Sequence, residues 1–512
     1  MLLNPLLWLH LRITGSARTN VLIVTAYAAT IILFASISFY VAALNVPPRD
    51  RIAVFAQMNG IWLVIVTVAQ GVFLLLLGPS AVRRAVQRDF DTGMLDSHRL
   101  SPMSNLKIVL GYLTGAPIQA LLLYAVSLVF GTYFAASYAA SPGLGGALGV
   151  RATLGGWFFA QGCMLVLAAM FAALILLTAL ATRGKANVVG ILALIGVFGG
   201  WFAIVFVPGL ALVLGVLSGG VLLGLLTSAK IGGDALTIVY AGALQFTLCL
   251  MFVTAACGKL RKPEHPLFSL PLGLTLLIVW GIALLAGMHA APEYDWLFGE
   301  WREYRFAQLV ASTIAFMLVA LLPLAAAAIN LFHRDRAASF GERPVARARL
   351  LLLAPLLAAL TAMCLDLMLR AVGPEQLSRA AREALLHRSV WAGIAAALLL
   401  SFWTDFHCLY SLKALMRRPI IAFLIVLATL KGAPLALDGV IKFCVEEVAE
   451  RNWTGEGYLT GLSPIGTLML TPRAGTAVWV GLVVQLAVAI GATALARRVH
   501  RRLGKHRVTQ DS

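Results

Sequence analysis

IWLVIVTVAQGVFLLLL (61–77), RDFDTGMLDSHRLSPMS (88–104) and IVLGYLTGAPIQALLLYAVSLVFGTYFA (108–135) are the stretches on which the reading of this chain turns. The two outer runs are each long enough to cross a bilayer, because a helix rises about 1.5 Å per residue and the hydrocarbon core is roughly 30 Å thick. The middle segment is charged and punctuated by Gly93 and Pro102. Wedged between two spans, it must lie in water at a membrane face. Its composition is that of a short docking helix rather than a slack linker.

Working outward, the same apolar runs recur from end to end. Of the 512 residues 60% are hydrophobic and only 12% charged, against roughly 25% charged in ordinary soluble domains. The fold class read from this pattern is all-α, a polytopic integral membrane protein, since helices satisfy their own backbone groups in lipid. Residues 1–19 carry no basic start and no cleavage site, and Asn4, Pro5, His10 and Arg12 interrupt their apolar part. They read as an amphipathic interfacial helix anchored by Trp8, not as a secretory signal. The six cysteines form no CxxC pair and no zinc spacing, so packing is their expected role.

Hydropathy predicts twelve spans in a 6+6 arrangement. The first six cover residues 20–46, 59–82, 107–135, 156–181, 187–208 and 235–257. The second six cover residues 267–289, 307–332, 350–372, 390–410, 420–444 and 475–497. One further apolar piece, GLALVLGVLSGGVLLGLLTS (209–228), is long enough to cross. Charge decides against that. With this piece re-entering from outside and both termini cytoplasmic, roughly 26 of the 40 lysines and arginines face the cytoplasm and roughly 11 lie outside. The chain is thus read as a multi-pass protein of the cell (inner or plasma) membrane with a basic cytoplasmic tail at 497–512. Basic loops against anionic headgroups account for the net charge of +18, and no nucleic-acid partner is needed.

The segment after span 2 resembles the first cytoplasmic loop of ABC-2 type exporter permeases. Those loops carry an acidic residue, then G-T-L-E-L-L, then T-P-L-S and a lysine-bearing start to the next helix. The matching positions are Asp91, Gly93, Met94, Leu95 and Asp96, then Ser101, Pro102, Met103 and Ser104, with Lys107 and Gly111 opening span 3. Ser97 and His98 depart from the family, which has leucines there. The interfacial helix, the six spans and the re-entrant segment before span 6 are also features of that family, and the likeness is strongest over residues 1–135.

The resemblance implies a cytosolic ABC ATPase as partner, with a cleft that receives the loop (83–106). Arg88, Asp89, Asp91 and Asp96 would orient it, Met94 and Leu95 would form an apolar knob, and Pro102 would separate it from the next helix. ATP and Mg would sit on the partner. This chain contains no G-x-x-x-x-G-K-[ST] sequence, and Gly184-Lys185 and Gly258-Lys259 lack its spacing. The plainer alternative is that the loop only connects two spans.

Residues 20–260 thus read as one six-span permease unit. Residues 261–512 read either as a diverged repeat of it or as an added membrane domain on a protomer that pairs as a homodimer or with a second permease subunit. In this half LSPIGTL (462–468) is similar to the Pro-containing outer segment before the family's last span. Ionisable residues within spans are costly and point to function by default. Asp366, Asp405, His407, Lys431 and Asp438 are the candidates for a polar or substrate path, with Asp366–Arg370 and Asp438–Lys442 each one helical turn apart. Structural pairing is the competing account.

Two other functional classes compete with an ABC permease. A proton-coupled secondary transporter also has two sixes of spans, but the loop after span 2 lacks the G-x-x-x-D-R-x-G-R-R pattern of the largest such superfamily. A membrane-embedded lipid-processing enzyme would need HExxH or paired acids on a loop. Asp89-Phe90-Asp91 comes nearest and reads as part of the docking segment.

Overall fold

The computed structural model describes residues 17–48, 50–140, 154–183, 235–261, 266–290, 305–337, 350–372, 388–416, 419–434, 437–438, 458–470 and 476–508. Every regular element among them is a helix, and nine of these helices are long and apolar enough to cross a membrane. The expected all-α membrane architecture is therefore present. Large apolar side chains such as Phe34, Val129 and Ile490 stand exposed on the outer faces, which suits hydrocarbon as the surrounding solvent. The predicted interfacial helix up to residue 16, span 5 and the re-entrant piece at 209–228 lie outside the described residues. The described residues divide into two compact units, the first closing at Leu267 and the second opening at Phe268.

The first unit begins with α1 (Ala17–Asn45) and α2 (Arg51–Gly71). A π-helical stretch, Val72–Leu77, carries α2 without a break into α3 (Gly78–Asp91). The helix of span 2 does not stop at residue 82: residues 83–91, in the segment expected on the cytoplasmic side, continue it. No breaker intervenes between Pro79 and Gly93, and α3 buries Val82, Ala85 and Val86 on one side, so an amphipathic stripe continues the span beyond the lipid. The combined helix of 41 residues, Arg51–Asp91, is about 60 Å long at 1.5 Å per residue, roughly twice the hydrocarbon thickness.

After the short α4 (Met94–Leu100) come α5 (Asn105–Gly115) and α6 (Ile118–Ala139). Span 3 was expected as one helix over 107–135. It is two, because Pro117 has no N–H to continue α5, and its carbonyl instead accepts the N–H of Leu121 at 3.0 Å. α7 (Leu154–Thr182) packs on α8 (Ala235–Arg261) and on α3, while α2 packs on α6. Ile31, Leu63, Val66, Phe134 and Trp157 form a core between α1, α2, α6 and α7. Gly131 makes room for the Trp157 ring, which a Cβ at that position would strike.

The second unit comprises α9 (Leu270–Ala290), α10 (Arg305–Ala337), α11 (Leu353–Val372) and α12 (Arg388–Leu415). These are followed by α13 (Pro419–Leu427), a π-helical stretch Ala428–Gly432, α14 (Tyr458–Leu462), α15 (Pro464–Leu470) and α16 (Thr476–Val508). α12 is central and touches α10, α11, α13, α15 and α16. The helix α16 continues through residues 497–508 of the basic tail.

Both π-helical stretches arise from the same local chemistry. In each, the residue before a proline closes a wide turn, Gly78 N–H to Phe73 O ahead of Pro79 and Ala433 N–H to Ala428 O ahead of Pro434. A proline lacks the N–H for the ordinary ladder, and a single wide turn absorbs the defect.

Candidate functional site

Thr92 ends α3, its N–H and its hydroxyl both donating to the carbonyl of Arg88 at 2.9 Å. Gly93 then reverses the chain at φ +73°, a conformation that costs an L-residue with a side chain about 1–2 kcal/mol. α4 follows at once and ends at Ser101, whose ψ of 151° is the extended backbone a residue before proline adopts. Ser104 caps α5 by accepting the N–H of Lys107 at 3.4 Å.

Side chains lock this small helix on three sides. Asp89 is buried, and the Tyr112 hydroxyl from α5 donates to its Oδ2 at 2.5 Å. His98 Nε2 stands 3.7 Å from the same oxygen, and Arg88 Nε donates to Oδ1 at 3.5 Å. Arg99 donates from Nη1 to Asp96 at 2.7 Å and from Nε to the carbonyl of Leu260 at 3.0 Å. That second bond pins α4 to the C-terminal turn of α8, where carbonyls lack helical partners and a cation is favoured. The polar departures Ser97 and His98 now divide: Ser97 is exposed, whereas His98 is buried beside Asp89 and Tyr112.

Of the two residues of the expected apolar knob, Met94 is exposed, and the placement of Leu95 is corrected. Leu95 is only 1% exposed and packs inward, while Leu100 is 88% exposed. On a helix with its own core face, residues five apart fall on different sides. The outward surface therefore consists of Asp91, Met94, Asp96, Ser97, Leu100 and Pro102, with Gly93 at its edge. Asp89 and Asp91 do not converge either, one being buried and the other exposed.

The second unit holds a buried ion pair. Lys431 Nζ donates to Asp405 Oδ2 at 2.5 Å and to Ser401 Oγ at 2.7 Å. Ser401 and Asp405, four apart on α12, share one face, and the wide turn at Ala428–Gly432 carries Lys431. From there polar contacts run on to the break between α14 and α15. The Ser463 hydroxyl donates to the carbonyl of Lys431 at 2.7 Å, and that of Thr460 donates to Asp438. Gln485 on α16 donates to Thr467 Oγ1 at 2.8 Å and to the carbonyl of Gly461 at 3.2 Å.

The intramembrane candidates are thus partly brought together. Asp405 and Lys431 meet, a pairing across 26 positions that the sequence reading did not make. Asp438 joins the same network through Thr460, and its expected partner Lys442 lies outside the described residues. Asp366 pairs with Arg370 at 2.9 Å as expected, but on an exposed surface. His407 packs against the rings of Trp403 at 4.8 Å and Phe406 at 5.5 Å. Sequence reasoning missed the neutral members, Ser401, Ser463, Thr467 and Gln485. It also missed Gln161, whose Nε2 donates to Gln70 Oε1 at 3.1 Å inside the first unit. The usable signal was present, since an amide within an apolar run needs a partner as a charge does. Comparison of the chain with family models, with curated protein sequences and with solved structures finds no match in any of the three.

Proposed function

We propose that this chain is the membrane permease subunit of an ABC exporter of the ABC-2 class, driven by a separate cytosolic ATPase that carries the ATP and Mg. One observation carries the reading: α4 is held to α3 by the His98–Asp89 contact at 3.7 Å and to α8 by the Arg99–Leu260 bond, while Asp89–Tyr112 links α3 to α5, and its outward face carries Met94, Leu100 and carboxylates. A push on that face is delivered to α3, α5 and α8 together, because the ties leave α4 no freedom to yield alone. A mere connector has no need of such ties; connections in helical bundles usually run to two to eight residues. In this reading the two six-span sets form one two-fold core, or a second subunit completes it, and ATP-driven tilting of spans 2 and 3 alternates access.

The test is affinity co-purification from the native membrane of the wild type beside a Met94→Asp, Leu100→Asp variant. Both positions are exposed, so folding is expected to survive. An ABC-type ATPase that accompanies the wild type and is lost from the variant supports the reading. A wild-type preparation, folded and in mild detergent, that brings down no ATPase overturns it.

The pair Lys431–Asp405 favours a second reading, a proton-coupled secondary transporter, because buried ionisable groups within spans serve as relays. Protein-dependent collapse of an imposed pH gradient in proteoliposomes, abolished by Asp405→Asn, is the result that would carry it.

A further inference from the structure

A lengthwise groove of about 800 Å³ runs between α16, α12 and α11 in the second unit. On α16 the lining includes the small residues Ala489 and Thr493, which leave the space unfilled. Its walls are apolar, with Leu400 and Trp403 on one side and Leu486 and Ile490 on the other. Trp403 is held in place, its Nε1 donating to Thr493 Oγ1 at 3.0 Å. One end is different. Arg497, Arg498 and Arg501 stand at that end, and among the described residues no acidic side chain lines the groove.

The dimensions match half a bilayer. From Leu486 to Arg497 is 11 residues, roughly 16 Å along a helix, against roughly 15 Å for one leaflet of a 30 Å hydrocarbon core. The apolar walls thus lie at acyl-chain depth and the arginines at headgroup depth. Arginine forks match phosphate oxygens bidentately. The pair Asp335–His500, at 3.2 Å, draws His500 into the protein, leaving the three arginines as the groove's polar end.

We propose that this groove is a binding site for an anionic phospholipid, its acyl chains along Leu486, Ile490 and Trp403 and its headgroup phosphate on Arg497, Arg498 and Arg501. The occupant comes from the leaflet on the side of the chain's C-terminus. Charge complementarity at one end and hydrocarbon at the other exclude a zwitterion as the preferred guest, since its cationic group would meet the arginines. The proposal does not depend on ATP-driven transport.

The test uses the full chain reconstituted in phosphatidylcholine nanodiscs doped with acyl-brominated phosphatidylglycerol or acyl-brominated phosphatidylcholine at equal mole fraction. Quenching specific to Trp403 is the difference between wild type and Trp403→Phe. The expected result is half-quenching by the anionic lipid at a mole fraction at least about fivefold lower, the effect of even one arginine near a membrane surface. The Arg497→Gln, Arg498→Gln, Arg501→Gln variant loses that preference, and the corresponding triple lysine variant keeps part of it. Equal quenching of the wild type by the two lipids overturns the proposal, as does a preference that survives the triple glutamine change. Relief of quenching by millimolar glycerol phosphate would also overturn it, because the groove would then take a soluble phosphate rather than a lipid.

Discussion

Asp89 and Asp405 are both carboxylates buried among apolar helices, and each is tolerable only through its partners. For Asp89 the shortest contact is the Tyr112 hydroxyl, beside Arg88 and His98, and Tyr112→Phe removes a bond to a charged acceptor worth about 1.5–3 kcal/mol. A lowered thermal midpoint in detergent is expected, with most of the loss absent when Asp89→Asn is introduced first. For Asp405 the partner is a full charge. Lys431→Ala leaves a bare buried carboxylate and costs about 3–5 kcal/mol, whereas a Lys431→Met, Asp405→Leu pair of changes recovers most of it. Thermal unfolding of the three proteins, followed by size-exclusion monodispersity, checks the order. A double variant as unstable as the single one would show that Lys431 contributes more than neutralisation.

Helices and their junctions make the second group of predictions. α4 depends on the reversal at Gly93, so Gly93→Ala is expected to destabilise by about 1–2 kcal/mol and to weaken ATPase co-purification although no docking atom is removed. The proline-induced wide turn before Pro434 sets the rotation of Lys431. In Pro434→Ala the ordinary helical ladder becomes available, and each residue dropped from a wide turn rotates the preceding part by about 100°. Lys431 is then expected to leave Asp405 and to react with a membrane-permeant amine reagent that spares the wild type. Both junctions had a trace in the sequence, a glycine between charged runs and an Ala-Pro within an apolar run. Only the second went unread, because proline in a span looks the same whether it kinks, breaks or widens the helix.

For the chain taken end to end, the charge distribution predicts both termini on the cytoplasmic side. A C-terminal green fluorescent protein fusion is expected to fluoresce in a bacterial inner membrane, and an alkaline phosphatase fusion at the same point to be inactive. The opposite pattern would invert every loop, putting α4 outside and removing its access to a cytosolic ATPase. That result would also sink the permease reading. The helical extensions past residue 82 and past residue 497 were hidden from hydropathy for a simple reason. An amphipathic helix that leaves the bilayer keeps its backbone pattern while its mean hydropathy falls, so a window average reports an end where the helix has none.

What the sequence determined was the solvent. Runs of apolar residues of bilayer length, basic loops between them and a charged segment after the second run establish a polytopic helical membrane protein, because burial in lipid is a property of each run by itself. Which side of each helix meets which neighbour was left to the tertiary structure. In water the apolar stripe of a helix announces its inner face. In lipid both faces are apolar, and rotation is set by packing and by scattered polar contacts. Thus Leu95 inside and Leu100 outside, Lys431 against Asp405, and three arginines at the end of one groove became visible only when the helices were brought together.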